Sequence, residues 1–156
     1  MSGQSSVLVA LRIKAAPARV FEAFTREIAA WWKPNELFKF TPRAPGVLAF
    51  EPGEGGRLTE TLDNGVVFEI GRITAWAPPS RLAFTWRQAS FAPEQTTYVE
   101  VRFDAVGEDT RVTVEHRGWD AIPRAHAAKH GFPNEVFLER HGEWWRTLLR
   151  SLSARI

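Results

Sequence analysis

The chain has 156 residues, of which 44% are hydrophobic and 24% charged, a balance that excludes a disordered polymer and points to one domain with a core of its own. It has no cysteine, which excludes disulfides, thiol catalysis and thiolate metal sites and is in keeping with a reducing compartment. Its formal net charge is +2, with the arginines spread along the chain, so it lacks the clustered basic footprint of a nucleic-acid binder and its charges read as solvated faces.

In chain order, Val7, Val9, Leu11 and Ile13 alternate with Leu8, Ala10, Arg12 and Lys14, the period of a half-buried first strand. This apolar run follows no basic start and precedes no cleavage pattern. It reads as a strand rather than a signal peptide. No apolar stretch is long enough to span a bilayer, so a cytoplasmic chain without membrane insertion is expected. Pro17 suits the first turn of a helix, where its missing N–H costs nothing. Val20, Phe24 and Ile28 recur every four residues and lead to Trp31 and Trp32. They form one helical face, with room for two short helices, ended by Pro34.

Residues 33–46 form a proline-containing loop with Leu37, Phe38 and Phe40, apolar enough to fold back over something or to meet a second copy of the chain. Strands are predicted at 47–52 and 57–62, joined through Pro52-Gly53-Glu54-Gly55-Gly56. Asp63-Asn64-Gly65 reads as a type I′ hairpin turn. Further strands are predicted at 66–76, 81–88, 96–104 and 110–118, separated by proline- and glycine-bearing turns. Residues 119–134 read as irregular or weakly helical. From Asn134 a long helix carries Phe137, His141, Trp144, Trp145, Leu148, Leu149, Leu152 and Ile156 in one stripe. The order is a strand, short helices, about six to seven antiparallel strands in all and a long last helix, which defines an α+β domain. A sheet apolar on one face needs a cover, and the last helix is the only element long enough to supply it.

Several segments resemble the SRPBCC superfamily, the START-like helix-grip fold, and within it the branch related to the activator of the heat-shock-90 ATPase. They are Ala16-Pro17 through Val20-Phe21, Gly55-Gly56-Arg57, Gly71-Arg72-Ile73, and Pro78-Pro79-Ser80-Arg81-Leu82 with Phe84-Thr85-Trp86. Thr110-Arg111-Val112-Thr113-Val114 with His116 and Gly118-Trp119 also matches, as do Trp145, Leu149 and Leu152. The usual glycine before that terminal tryptophan is Trp144 here. The resemblance covers almost the whole chain. It implies one START-like domain over residues 1–156, a curved sheet wrapped on the C-terminal helix, and a cavity between them. It implies no single reaction, because members include carriers, cyclases and regulators.

The residues themselves point to a container. There are seven Trp and eleven Phe but one Tyr. Leu82, Phe84 and Trp86 share one strand face, as do Val99, Val101 and Phe103. Most such side chains serve a core whether or not a ligand exists. Trp86, Trp119, the Trp31–Trp32 pair and the Trp144–Trp145 pair are the expected walls of a cavity, since an indole offers a flat apolar surface and one donor. Adjacent helical residues point about 100° apart, so one tryptophan of each pair is expected to face inward. Phe50, Leu58, Phe84, Val101 and Leu148 complete the expected lining.

His116 is in phase with Val112 and Val114, and His141 lies on the helix stripe. Both can enter one space as hydrogen-bond partners or as general acid and base, and the plainer reading is a pair of satisfied core histidines. Glu60, in phase with Leu58 and Leu62, is a candidate buried carboxylate there. Glu69 is a weaker one, because its strand phase is ambiguous. His126 and His130 have the spacing of a helical metal pair, but no third ligand is evident, so no metal is expected. No GxSxG elbow, Walker loop or GxGxxG follows a strand, and no cofactor is expected. Three functions stay open. The first is binding of a small hydrophobic or amphipathic molecule, the second an enzyme of cyclase or hydrolase type using the same cavity, and the third a chaperone-related or other regulatory protein, with homodimerisation as one route.

Overall fold

The computed structural model describes residues 6–32, 46–89, 91–92, 94–119, 122 and 134–156. Strand β1 (Ser6–Ile13) buries Val7, Val9 and Ile13 on one face, as its period demands. Helix α1 (Pro17–Arg26) begins with proline in its first turn and buries Val20, Phe21, Ala23 and Phe24. Glu27, at φ −113° and ψ 21°, breaks the helical path, and α2 (Ile28–Trp31) follows as a single turn. The expected split into two short helices is therefore found. The Trp31 indole donates to the Ala23 carbonyl (2.9 Å), and the Ser151 hydroxyl donates to the Trp31 carbonyl (2.6 Å), which ties α2 to the last helix.

Strands β2 (Val47–Phe50), β3 (Arg57–Thr61), β4 (Val67–Ala77), β5 (Arg81–Trp86), β6 (Thr97–Val106) and β7 (Asp109–Arg117) run as an antiparallel meander. β1 joins its far side, so the sheet order is β1-β7-β6-β5-β4-β3-β2. The β1–β7 ladder runs from Ser6 opposite Arg117 to Ile13 opposite Thr110. The seven strands curl into a half-barrel around helix α3 (Asn134–Arg155), the helix-grip arrangement that the resemblance implies. On the convex face, Arg12 meets Asp109 (2.8 Å), and Glu100 takes both Arg81 (2.5 Å) and Arg102 (3.2 Å). These pairs sit on the outer face, where such pairs add little stability.

The curl centres on β4, whose first half pairs with β3 and whose second half pairs with β5. Register shifts at Leu58/Thr59 and Ile73/Ala75 mark the bend. Gly71 sits where the backbone of Thr85 approaches most closely, and a Cβ there would collide with the Thr85 carbonyl. The next amide, that of Arg72, donates to the Thr85 hydroxyl (2.9 Å). Gly71→Ala is therefore expected to lower stability by about 1–3 kcal/mol through overpacking. Urea denaturation monitored by tryptophan fluorescence checks this, and an unchanged midpoint would remove Gly71 from the account of the bend.

Two local expectations are corrected. The 63–65 turn is a three-residue loop. The Leu62 amide bonds to the Val66 carbonyl (2.8 Å), the Gly65 amide bonds to the Leu62 carbonyl (2.9 Å), and Gly65 alone takes a positive φ of 86°. That is a turn followed by a left-handed residue rather than a two-residue type I′ turn. Ile156 lies past the end of α3 and is exposed, so it leaves the apolar stripe. The rest of the stripe holds, with Phe137, His141, Trp144, Trp145, Leu148, Leu149 and Leu152 all buried. Gly142 seats α3 on the sheet: an added Cβ would touch Val7 (3.4 Å) and Val9 (3.9 Å) of β1.

Candidate functional site

The aromatic side chains gather where β5, β6 and β7 pass under the first half of α3. Alternation brings Trp86 inward from β5, Thr97 from β6 and His116 from β7. Gly118, at φ 96°, turns the chain after β7, and Trp119 falls back over the sheet. From α3 come Phe137, His141, Trp144 and Trp145. The His116 ring lies 4.7 Å from Trp86, 4.9 Å from His141, 5.0 Å from Trp119 and 6.1 Å from Trp145, centroid to centroid. Trp119 is edge-on to Phe137 at 4.9 Å, and Phe137 stacks on His141 at 5.6 Å. Phe91 closes the side, 6.3 Å from Trp86 and 6.0 Å from Trp119. Edge-to-face contacts of this kind add to the area these rings bury.

Two imidazoles at the centre of this cluster must be satisfied in a dry interior. The Thr97 hydroxyl donates its one hydrogen to the Trp86 carbonyl (2.7 Å), so it can only accept from His116 Nε2 (2.8 Å). His116 is then protonated on Nε2 and its Nδ1 is a lone-pair acceptor. Two donors converge on that lone pair, the Trp145 indole N–H (3.2 Å) and His141 Nε2–H (3.0 Å). The network fixes both tautomers and gives the chain one direction, from His141 through His116 and Thr97 to the Trp86 carbonyl. An indole only donates, so a proton on His116 Nδ1 would set two N–H groups against each other. Electrostatics act in the same sense. Burial, and then the neighbouring His141, push His116 well below its ordinary 6.5, and burial pushes His141 down to about 3. Both are neutral at pH 7.

The expected lining residues divide between this cluster and the opposite end of the interior. Trp86, His116, Trp119, His141, Trp144 and Trp145 form the cluster. Trp32, half-exposed at the end of α2, lies edge-on to Trp144 (5.5 Å) and Trp145 (5.6 Å) and caps it. Trp31 turns the other way, onto Phe24 (5.0 Å). Phe50 meets Phe84 at 5.2 Å. Leu58, Phe84, Val101 and Leu148 are buried core. Glu60 is 2% exposed on β3 and accepts the Gly46 amide (3.1 Å), at the β2–β3 margin rather than on the histidines. Glu69 is on the surface, paired with Arg72 (3.2 Å). His126, His130, Leu37, Phe38 and Phe40 lie outside the described residues.

At this cluster one expectation holds only in part and another fails. Trp144 and Trp145 are both buried, at 3% and 0% exposure, although neighbours on a helix diverge. Trp145 faces the sheet, while Trp144 is covered by Trp32 and lies 5.4 Å from His141. Secondly, Trp86, His116, Trp119, His141 and Trp145 each have 0% exposure. Their own surfaces leave no water-sized gap, so the expected open room is filled by rings around these side chains. Sequence reasoning missed Thr97, Phe91 and Gln88. The period-two phase through Val99 and Val101 places Thr97 inward, and the phase through Phe84 and Trp86 does the same for Gln88.

A curled antiparallel sheet gripping a C-terminal helix, with an aromatic interior between them, defines the helix-grip class of the SRPBCC superfamily. Residues 14–156 match the model of the activator of Hsp90 ATPase homolog 1-like proteins, and the chain belongs to that family. No functionally curated protein matches it. Among solved structures, it is similar to an Hsp90 activator from Plasmodium falciparum, at 20% identity and TM-score 0.66, covering 96% of this chain and 94% of that one. It is similar to the Aha1 dimer from Colwellia psychrerythraea, at 19% identity and TM-score 0.61, with 95% and 92% covered. These two likenesses show the fold. The chain is also similar to Txn09, an anthrahydroquino-gamma-pyrone synthase complexed with SUM, at 30% identity and TM-score 0.54, with 100% of both chains covered.

Proposed function

We propose that the chain binds a small, flat, largely apolar molecule against the Trp86–Trp119–Trp145 cluster, between the sheet and α3. The observation that carries this is the cluster's composition. Here three indoles and two neutral imidazoles meet with centroids 4.7–6.1 Å apart, mostly edge to face. Such walls suit a ring system and provide a few oriented polar groups. Because the cluster is closed, binding requires a ring to swing aside. Trp32 is half-exposed and caps Trp144 and Trp145, so it is the ring best placed to move. The full-length likeness to a synthase named for an anthrahydroquino-gamma-pyrone supports a fused, oxygen-bearing aromatic as the ligand class.

The same likeness favours a second reading, in which the chain is an enzyme of cyclase or synthase type. The hydrogen-bonded His116–His141 pair would then move a proton at the bound molecule. Binding comes first in either case. Titration of the protein with flat tricyclic aromatics, followed by quenching of tryptophan fluorescence and by thermal shift, is expected to give saturable binding and a raised melting temperature. Failure of tricyclic aromatics and acyl chains alike to bind saturably would overturn the reading.

A further inference from the structure

Gln88 follows β5, and the β4–β5 pairing still holds it in place, because the Arg87 amide donates to the Ile70 carbonyl (3.0 Å). It therefore keeps the phase of Leu82, Phe84 and Trp86, all inward and buried, and is itself only 5% exposed. Its carbonyl accepts the Phe91 amide (3.0 Å), closing the turn that brings the Phe91 ring back over Trp86 and Trp119. The Arg87 guanidinium clamps that turn through the carbonyls of Phe91 (2.8 Å) and Ala92 (3.2 Å). The Gln88 side-chain nitrogen is buried and has no hydrogen-bond partner among the described residues. His116, by contrast, has both ring nitrogens engaged.

A buried amide donor without a partner costs more than an apolar side chain of the same shape. No described residue uses this one, since the turn is held by backbone groups and by Arg87. We propose that Gln88 is the polar anchor of the ligand site, donating from its side-chain nitrogen to an acceptor oxygen on the molecule seated against Trp86 and Phe91. This rests on the binding reading above and narrows it: the ligand is a flat apolar molecule with a carbonyl oxygen at one edge. The ring cluster supplies affinity, and Gln88 selects for the oxygen.

Fluorene and 9-fluorenone differ by one carbonyl oxygen and test this directly. The wild-type chain is expected to bind fluorenone about tenfold more tightly than fluorene, the worth of one neutral hydrogen bond in a dry site. Gln88→Leu is expected to remove that preference, so that the two compounds bind alike, with the melting temperature equal or higher. Gln88→Met gives the same comparison should the branched side chain not fit. If the wild type binds both compounds equally, or if either variant keeps the preference, Gln88 is not the anchor while the binding reading stands. A melting temperature that falls in both variants would make Gln88 structural instead. If neither compound binds the wild type, the anchor falls, and the wider titration with tricyclic aromatics and acyl chains decides the binding reading.

Discussion

Lowering the pH from 7.5 to 5 is expected to remove about 4 kcal/mol of folding stability, about 2 from each of His116 and His141. In the native state burial lowers both histidines from 6.5, and they stay neutral. Unfolded, each takes up a proton near 6.5. Above that pH neither state binds a proton and the histidines contribute no slope. Below it the unfolded chain gains protons that the folded chain refuses, so stability falls as pH falls until the folded values are reached. The size of the loss at pH 5 depends on the unfolded value alone, because His141 at about 3 is still neutral there and His116 is depressed by the same burial. The carboxylates Glu27, Glu51 and Glu100 are lowered from an ordinary 4.5, Glu51 to about 2, mainly by Arg19, Arg57 and Arg81 respectively. They weaken the fold only at pH values below this window. Urea midpoints at half-unit steps between pH 7.5 and 5 measure the slope, and His141→Gln is expected to halve it. A flat profile would mean that the pair is charged or wet, and the tautomer chain would fail with it. Against a typical total of 5–15 kcal/mol this is a large effect.

Trp86→Ala is expected to cost about 3–5 kcal/mol. The indole is fully buried and touches Phe91, His116, Trp119 and His141, with centroids 4.7–6.3 Å away. These neighbours belong to three different strands or turns and to α3, so they cannot all collapse into the space the ring leaves. The Trp86 carbonyl, which anchors Thr97, belongs to the backbone and survives the substitution. The loss is therefore one of packing, and Trp86→Phe should recover most of it. Added indole should also raise the melting temperature of Trp86→Ala, as an apolar void takes up a ring of the missing shape. A drop under about 1 kcal/mol would show that the cluster relaxes freely and is no preformed ring site.

Much of this architecture can be read from period alone. Alternation in β1, β5, β6 and β7 and the three-four spacing of α3 identify which side chains turn inward, and these include both histidines. What periodicity cannot give is how the helix sits on the sheet. That His116 meets His141 at 3.0 Å depends on the seat of Gly142 on Val7 and Val9, a tertiary contact between residues more than a hundred positions apart. Glu69 was ambiguous because β4 changes pairing partner along its length, with register shifts that reset the phase. Thr97 and Gln88 escaped notice for a different reason. They are polar side chains in inward phase, and a search that follows apolar residues passes over the ones that carry hydrogen-bond specificity.

Strand β1, first in the chain, lies beside β7, the last strand made, and α3 rests on both ends of that story through Gly142 and Trp145. During synthesis β1 therefore lacks its described partner strand until about a hundred more residues have emerged. Closing so long a loop is an entropic toll taken before any ladder bond returns it. Until then both of its hydrogen-bonding edges are bare, and in the finished sheet it remains the end strand, with Leu8 66% exposed. Arg12 and Lys14, near its far end, are the kind of charge that keeps such an edge from recruiting a stranger's strand.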